Sequence, residues 1–195
     1  MNESLINDET TLVSFEEGIE EVKNNIDHDP LKVNIEGLRE SSRSFFLSRL
    51  IQSLSRPVVV LTPNQNTGEK LIGDLRYFCK FNNVKKNIRF FPSWEILPYE
   101  NISPSSGVMG ERLEILHLLQ SNEISLLVAP VDSILQCVVP RKELSNHTFV
   151  LGIGDTLERE FLETCLLDNG FDRLPMVENR GHFSVRGDIV DIYPP

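Results

Sequence analysis

Hydrophobic residues near the N-terminus recur every three or four positions, the spacing that places side chains along one side of a helix. Between Leu5 and Ile26 the intervening residues are mostly acidic or polar. The pattern predicts an acidic amphipathic helix whose apolar side packs against the rest of the protein. The apolar positions of this stripe are Leu12, Phe15, Ile19, Val22 and Ile26.

Short, continuous apolar runs alternate with amphipathic stretches over residues 30 to about 145. Strands are predicted at Leu31–Ile35, Val58–Leu61, Ile88–Phe91 and Ser125–Ala129. The last three lack the polar alternation of a half-exposed strand, so they are expected to be buried on both faces. Strands separated by helices predict an α/β fold with a parallel sheet and helices on both of its faces. The predicted helices carry apolar stripes through Phe46, Leu50 and Leu54, through Leu71, Leu75 and Phe78, and over Met109–Leu119.

The pattern changes after Arg141-Lys142-Glu143, where strands and helices no longer alternate regularly. The elements predicted there are a strand at Thr148–Leu151, a helix at Thr156–Leu167 closed by Asn169-Gly170, and strands at Leu174–Val177 and Phe183–Tyr193. We therefore predict an α/β domain over residues 1–145 and part of a small α+β domain over residues 146–195. The second part is too small to fold well alone and ends on a strand, so the sequence is expected to belong to a longer one.

The final predicted strand places a charged residue at a defined position. Two apolar residues, Phe183 and Val185, alternate with three polar ones, His182, Ser184 and Arg186. Such alternation gives a strand one apolar and one polar face, so Arg186 is expected to point away from the core. Gly187 follows at once and indicates a bulge or a close backbone approach. An ordinary hairpin with a solvated arginine has the same pattern, and Arg-Gly-Asp is a chance match because nothing else indicates an extracellular protein.

The charge of the chain and its cysteines indicate which kinds of partner and which cellular compartment to expect. The chain of 195 residues has a formal charge of −10, of which residues 1–36 contribute −8. An acidic protein disfavours non-specific DNA binding, so protein partners are expected. Three widely spaced cysteines indicate neither a disulfide framework nor a zinc site, which fits a reducing cytoplasm. No signal peptide and no apolar run long enough to span a membrane is present, so no membrane contact is expected.

A phosphate loop would be expected after the first strand of such a sheet, and the sequence there argues against one. The segment provides a single glycine, Gly37, and no lysine, while Glu40 would repel a phosphate from the helix N-terminus. Gly68-Glu69-Lys70 places a lysine after a glycine but lacks the upstream glycine and the following serine or threonine. Nucleotide binding is therefore not expected.

No other residues form a catalytic pattern. The four histidines have no paired spacing, so neither a metal nor a cofactor is predicted. The serine pairs lie outside any nucleophile-elbow context. These residues are His28, His117, His147 and His182, with Ser41, Ser42, Ser105 and Ser106.

The most specific local signal is the proline-rich aromatic segment Phe90–Pro104, followed by Glu111-Arg112-Leu113 and Leu116. Physical reasoning makes it a loop that plugs the edge of the sheet, with Trp94 in a structural role, although a ligand cleft is equally compatible. The motif Phe-Pro-x-Trp-Glu-x-Leu-Pro-Tyr-Glu-x-x-Ser-Pro, then Arg-Leu-x-x-Leu, resembles the N-terminal region of the bacterial transcription-repair coupling factors, the Mfd family. The similarity continues through Val128–Gln136, Pro140 and Gly181–Pro194, and covers roughly residues 30–195.

This resemblance implies a fold and a function. The corresponding module of the family is a degenerate, RecA-like copy of the UvrB module, which has lost ATP binding and kept the surface that docks on UvrA, the damage-recognition protein. UvrB itself is a weaker match, because the phosphate loop is absent and the segment between Tyr99 and Arg112 is too short for the DNA-gripping hairpin of UvrB. RNA polymerase and DNA would be bound only by later domains, and other domains of the longer protein are expected partners.

The resemblance also implies a partner-binding site. The docking arginine of the family, in Val-Arg-Gly or Thr-Arg-Gly contexts, matches Arg186. His182 and Ser184 are expected to share its face, and Arg180 is added from physical reasoning alone. Other family contacts lie beyond Pro195.

Two other functions remain open from the sequence. One is a nucleotide-dependent, helicase-like enzyme module that uses Gly37–Arg43 as an atypical phosphate loop. The other is an internal brake, in which the module covers other domains of the longer protein.

Overall fold

The computed structural model describes residues 14–28, 33–94, 96, 99–100 and 102–194, with residues 27 and 28 described in backbone only. In the part of the chain that the structure describes, nine elements precede residue 147: α1 (Phe15–His28), α2 (Ser41–Ser53), β1 (Val58–Thr62), α3 (Gln65–Phe81), β2 (Ile88–Phe90), α4 (Ser106–Gln120), β3 (Leu126–Pro130), α5 (Val131–Leu135) and α6 (Arg141–Asn146). Four follow it in the described residues: α7 (Arg159–Asp168), β4 (Asp172–Arg173), β5 (His182–Arg186) and β6 (Ile189–Tyr193).

The first sheet is parallel, in the order β1-β3-β2, with all five residues of the central strand buried. Because side chains alternate along a strand, Leu126 and Val128 pack with α2 and α3, while Leu127 and Ala129 pack with α4. The sheet therefore has helices on both faces. The predicted α/β architecture with a parallel sheet is confirmed.

Helix α1 packs against α2 through the apolar stripe predicted from its spacing. Ile19 and Val22 are buried against Phe46 and Leu50 of α2 and against Leu54, the residue that follows α2. Four acidic residues of α1 are exposed on its solvent side, as an amphipathic helix requires: Glu16, Glu17, Glu20 and Glu21. The earlier part of the predicted helix, which includes Leu5 and Leu12, lies outside the described residues.

Gly68 has a packing role in this fold. It lies in α3, where a Cβ atom would come within 2.6 Å of the Phe90 ring. Glycine is therefore required for α3 to approach β2 this closely. Asn64, which caps α3 by accepting a hydrogen bond from the Thr67 backbone N–H, fixes where the helix begins.

The predicted strand Leu31–Ile35 is wrong for the residues that the structure describes. Residues 33–36 form no strand, and 31 and 32 lie outside the described residues. Val33 and Ile35 are exposed. Apolar character alone does not make a strand, because a strand is stable only when a neighbour pairs with its backbone.

The second sheet has the order β4-β5-β6, with β4 parallel to β5 and β5 antiparallel to β6. The predicted strand at Thr148–Leu151 is wrong: Phe149, Val150 and Leu151 are exposed and belong to no strand. The predicted strand Leu174–Val177 is replaced by Asp172–Arg173. Strand pairing ends near Leu174 because Pro175 has no backbone N–H to donate.

Helix α7 begins at Arg159, three residues after the predicted start. The predicted single strand Phe183–Tyr193 is two strands, β5 and β6, joined by a tight turn. Among the described residues, no helix is both long and apolar enough to cross a membrane. Cys79, Cys137 and Cys165 are all free thiols.

Candidate partner-binding face

The turn between β5 and β6 contains only two residues, Gly187 and Asp188. Arg186 pairs directly with Ile189, and the φ of Gly187 is +62°. A positive φ at the first central position, with glycine there, is characteristic of the type II′ hairpin turn, whose twist matches that of the strands. Gly187 therefore forms the tip of an antiparallel hairpin, the ordinary interpretation that the sequence allowed, and the alternative of a bulge at this position is wrong.

The strand pairing determines which side chains share a face, because directly opposed residues of an antiparallel pair point the same way. Arg186 is opposite Ile189, Ser184 is opposite Asp191, and His182 is opposite Tyr193. We call the side of the hairpin that carries these six residues the Arg186 face. Phe183 and Val185 point to the other side, where Phe183 is fully buried.

Arg186 is exposed, as the alternation predicts, with 66% of its side chain accessible. Its guanidinium forms an ion pair with the carboxylate of Asp191 on the neighbouring strand. An exposed pair of this kind contributes only about 0 to 1 kcal/mol to stability. Its main effect is to orient the guanidinium, which has five N–H donors and so keeps some available for another acceptor.

Ser184 lies on the Arg186 face but is only 1% exposed. Its hydroxyl donates a hydrogen bond to the carbonyl of Pro175 at 2.9 Å. Ser184 therefore shares the face of Arg186, as the alternation predicts, but its hydroxyl already has a partner within the chain. The segment that follows β4 covers it, a tertiary contact that strand alternation does not reveal.

His182 and Arg180 flank the start of β5. The Nδ1 atom of His182 accepts a hydrogen bond from the Asn179 backbone N–H at 3.2 Å, so this half-buried ring helps to form the local turn. Gly181, with φ +82°, provides the backbone conformation that the turn needs. Arg180 is exposed, and no carboxylate of the described residues pairs with it. Arg180 and Arg186 are thus both accessible cations near this hairpin.

The Arg186 face also has apolar residues that the sequence did not single out. Ile189 and Tyr193 are exposed beside Arg186 and Asp191, and Met176 is exposed on the segment that covers Ser184. Reading Gly187-Asp188 as a two-residue turn would have placed Ile189 and Tyr193 on this face. The face therefore combines an oriented ion pair with exposed apolar surface.

Helix α7 holds the hairpin from one end. Arg159 donates a hydrogen bond to the carbonyl of Gly187 at 3.3 Å and pairs with Glu163. Glu163 also pairs with Arg173 of β4 at 2.9 Å. These contacts connect the helix to the turn and to the opposite edge of the sheet.

The aromatic loop forms a second polar cluster, centred on the buried Arg112 of α4. This side chain is 1% exposed, and its guanidinium carbon lies 4.1 Å from the ring centroid of Phe91 and 4.3 Å from that of Trp94. It donates hydrogen bonds to the Pro92 carbonyl and, at 3.1 Å, to Gln136 Oε1. It also donates to the Ser133 carbonyl at 3.5 Å, so two rings and three acceptors surround one cation.

The Arg112 cluster lies at the aromatic segment where a ligand cleft was considered. Burial lowers the pKa of the Arg112 guanidinium, and its Nε atom has no hydrogen-bond partner among the residues that the structure describes. Trp94 is half-buried rather than a fully enclosed plug. Arg112 was not predicted to be buried, although an arginine three residues before Ile115 and four before Leu116, on the apolar side of a helix, is a signal of this kind.

The segment considered as an atypical phosphate loop has an acidic environment. Glu40, immediately before α2, has a positive φ of 46°. The hydroxyl of Ser41 donates to the carboxylate of Asp74 at 2.8 Å, and Arg43 Nε donates to the Leu38 carbonyl. Two carboxylates therefore lie near the start of α2, where a phosphate would have to bind. Among the described residues, no group of His, Cys, Asp and Glu could hold a metal ion; the side chain of His28 lies outside them.

Comparison with known proteins gives a family match for the second part of the chain. Residues 149–195 match the family model described as the UvrB interaction domain. The transcription-repair-coupling factor of Myxococcus xanthus is 30% identical over 167 residues, which is 84% of this chain and 14% of that protein. The one from Bacillus subtilis is 29% identical over 168 residues, 86% of this chain and 14% of the relative.

The resemblance to the N-terminal, UvrB-like region of the transcription-repair coupling factors is confirmed. UvrABC system protein B of Lacticaseibacillus casei is also similar, with 30% identity over 168 residues, 81% of this chain and 25% of that protein. The chain spans about one seventh of the length of the coupling factors that it resembles. The stretch matched by the UvrB interaction domain includes α7 and the whole second sheet, and therefore the Arg186 face.

Proposed function

We propose that this chain is a non-catalytic protein-interaction module that binds the excision-repair protein UvrA and so links repair to transcription. The observation that carries the proposal is the position of the Arg186 face inside the stretch that matches the UvrB interaction domain. In a longer protein, such a module would recruit UvrA to stalled RNA polymerase. Contacts with RNA polymerase and DNA would then belong to other regions.

The chemistry of the Arg186 face suits a protein partner with a carboxylate. The guanidinium is planar and presents its donors as a fork, which matches the two oxygens of a carboxylate. It sits on a short hairpin and is already oriented by Asp191, so it loses little conformational freedom when it binds. An incoming carboxylate would share the guanidinium with Asp191 or displace it.

Ile189 and Tyr193 provide the apolar part of the proposed contact. Both are exposed beside the ion pair. Interfaces gain most of their energy from a few arginine and aromatic side chains that become desolvated at the centre of the contact. Arg186 and Tyr193 are of these types, whereas Arg180, on the neighbouring turn, is proposed to add charge at the rim.

We further propose that residues 1–145 are a degenerate RecA-like domain and that the second domain begins near residue 146. The parallel order β1-β3-β2, with helices on both faces, supports this fold, and the separate sheet β4-β5-β6 supports the boundary. Glu40 and Asp74 near the start of α2 would repel a nucleotide phosphate, which supports a non-catalytic role. A cytoplasmic location is part of the same proposal.

Two binding measurements test the proposal. Removal of residues 1–195 from the full-length protein is expected to abolish UvrA binding in a pull-down, and calorimetric titration of the 195-residue chain with ATP and Mg²⁺ is expected to give no binding heat. Stoichiometric ATP binding would instead support the helicase-like enzyme. UvrA binding that survives the truncation would contradict the interaction role, and unchanged ATPase activity after truncation would exclude the internal brake.

A further inference from the structure

The stretch with the largest unbalanced positive charge in this acidic chain lies around the end of α3. Residues 75–94 contain five lysines and arginines and no aspartate or glutamate, although the whole chain has a formal charge of −10. Three of these cations, Arg76, Lys80 and Lys85, are exposed. Within the described residues no carboxylate lies within 4.0 Å of any of the three. They are therefore free to attract an acidic partner.

Two exposed aromatic rings lie among these cations. Tyr77 is 65% exposed and Phe81 is 72% exposed. They are four residues apart on α3, so they occupy the same side of the helix, with ring planes 15° apart and centroids separated by 6.4 Å. Large aromatic side chains that leave this much surface in water mark contact sites more often than isolated exposed aliphatic residues do.

Further aromatic residues on α3, α2 and α1 form a row of ring contacts that holds the rings of Tyr77 and Phe81 in place. Tyr77 contacts Phe78, which contacts Phe45 of α2 at a centroid distance of 5.3 Å, and Phe45 contacts Phe15 of α1 at 5.1 Å. The exposed pair is thus the outer end of a row of rings that crosses three helices. A surface held this way loses little conformational entropy when a partner binds.

We propose that the α3 patch, formed by Arg76, Tyr77, Lys80, Phe81 and Lys85, docks a short acidic segment of a partner protein that also carries apolar side chains. Carboxylates of the segment would pair with the three cations, and its apolar side chains would cover the two rings. This surface belongs to the helices of the first sheet, so it is independent of the Arg186 face.

The surroundings of the α3 patch favour a short peptide over a nucleic acid. The patch covers about one and a half turns of α3, from Arg76 to Phe81, together with Lys85 in the segment that follows the helix. The row of rings leads from it directly to α1, whose first turn carries Glu16 and Glu17. A polyanion that continued in that direction would meet this acidic helix, and log affinity for nucleic acid depends on how many phosphates are neutralised. A peptide of a few acidic residues fits the charge that is available.

A displayed library of random peptides, each about 12 residues long and selected on the 195-residue chain, tests this proposal. We expect the retained peptides to carry net negative charge and at least one large apolar residue. Their affinity should fall by at least about tenfold when Tyr77→Ala and Phe81→Ala are combined, and likewise with Lys80→Glu. Lys142→Glu, the same charge change on exposed α6, is the matched control and should leave binding unchanged.

The outcomes separate the possible occupants. Both aromatic positions are exposed, so the double variant should keep its melting temperature within about 3 °C and remain a valid test. Selection that yields no peptides, or peptides without acidic residues, would overturn the proposal, as would binding that the patch variants do not weaken. Tighter binding of a fluorescein-labelled oligothymidine of about 12 nucleotides than of any selected peptide would assign the patch to single-stranded nucleic acid instead.

Discussion

The two sheets of this protein differ in how completely their surroundings cover them. In the first sheet the central strand β3 has all five residues buried, and helices pack on both faces. In the second sheet only Phe183 and Ser184 are buried, and the other strand residues are partly or fully exposed. Among the described residues after 146, Leu166 and Phe183 are the buried hydrophobic side chains.

This contrast indicates that the first sheet mainly stabilises the protein, whereas the second sheet presents surface for a partner. Burial of apolar surface is the main stabilising term in folding, so most of the stability of the described chain resides in the first sheet and its helices. The second sheet exposes Ile189, Tyr193 and Met176 around an oriented arginine. A protein partner can gain binding energy by covering that surface. Substitutions in the two regions should therefore have different consequences.

The largest stability effect is expected at Leu126, the fully buried first residue of β3. Leu126→Ala should lower the free energy of unfolding by about 3 to 5 kcal/mol, because it removes packing and leaves a cavity between α2 and α3. Denaturant titration followed by the fluorescence of Trp94, the single tryptophan, measures it. Ile189→Ala on the exposed hairpin should change stability by less than about 0.5 kcal/mol. Equal losses for the two variants would remove the distinction between the regions.

The next largest effect is expected at Arg112. Arg112→Ala should cost about 2 to 4 kcal/mol, because the Phe91 and Trp94 rings lose the cation between them and the Pro92 carbonyl and Gln136 lose a donor. Arg112→Lys keeps the charge but not the planar fork, so it should recover only part of that loss. Urea unfolding of the unsubstituted protein, Arg112→Lys and Arg112→Ala should show the free energy of unfolding decreasing in that order. Full recovery by lysine would show that charge alone matters.

A smaller effect is expected at the hairpin turn. No heavy atom lies within 4 Å of a Cβ added to Gly187, so Gly187→Ala should cost only the backbone strain of a positive φ, about 1 to 2 kcal/mol. Faster amide hydrogen exchange in β5 and β6 would report it. The matched control is Gly73→Ala in α3, also in open space but with a helical backbone, which should stabilise by up to about 1 kcal/mol. If both substitutions act in the same direction, the turn assignment is wrong.

The smallest effect concerns Glu17 in the first turn of α1. The Ser14 backbone N–H donates to its carboxylate at 2.9 Å, and the Ser14 hydroxyl accepts from the Glu17 N–H. This capping box lowers the pKa of Glu17 below its ordinary value. Because the folded pKa is the lower one, the contribution is present above the unfolded pKa and is lost as pH falls through the folded pKa. An NMR titration of Glu17 should show the lowered pKa, and Ser14→Ala should raise it; no change would contradict the cap.

The regular part of the fold was predictable from local pattern. The runs at Val58–Leu61, Ile88–Phe91 and Ser125–Ala129 all contain strands, as their apolar character predicts. The expected burial on both faces holds for the central strand β3 but is wrong for β1, whose Val59 and Leu61 are exposed because β1 lies at the edge of the sheet. The run at Thr148–Leu151 has the same apolar character and forms no strand. A strand needs a partner for its backbone, and pairing between distant segments cannot be read from one segment alone.

The candidate site was predictable only in part, for a similar reason. The alternation of apolar and polar residues along β5 predicted the exposure of Arg186, because that exposure depends only on neighbouring residues of one strand. The burial of Ser184 depends on Pro175, nine residues earlier, crossing the same face. The burial of Arg112 depends on Phe91, Trp94 and Gln136, which come from separate segments. Contacts of this kind are tertiary, and the sequence gives little direct indication of them.

The central proposal, that the Arg186 face binds UvrA, is tested most directly by charge reversal in the full-length protein. Arg186→Glu places a second carboxylate beside Asp191, so an acidic group of UvrA would meet two like charges where it now meets an ion pair. The free energy of binding to UvrA, measured by calorimetry, should therefore become less favourable by about 2 kcal/mol or more. Stability should change by less than about 0.5 kcal/mol, and Lys142→Glu should bind as the unsubstituted protein does. A folded Arg186→Glu protein that binds UvrA with unchanged affinity would contradict the account.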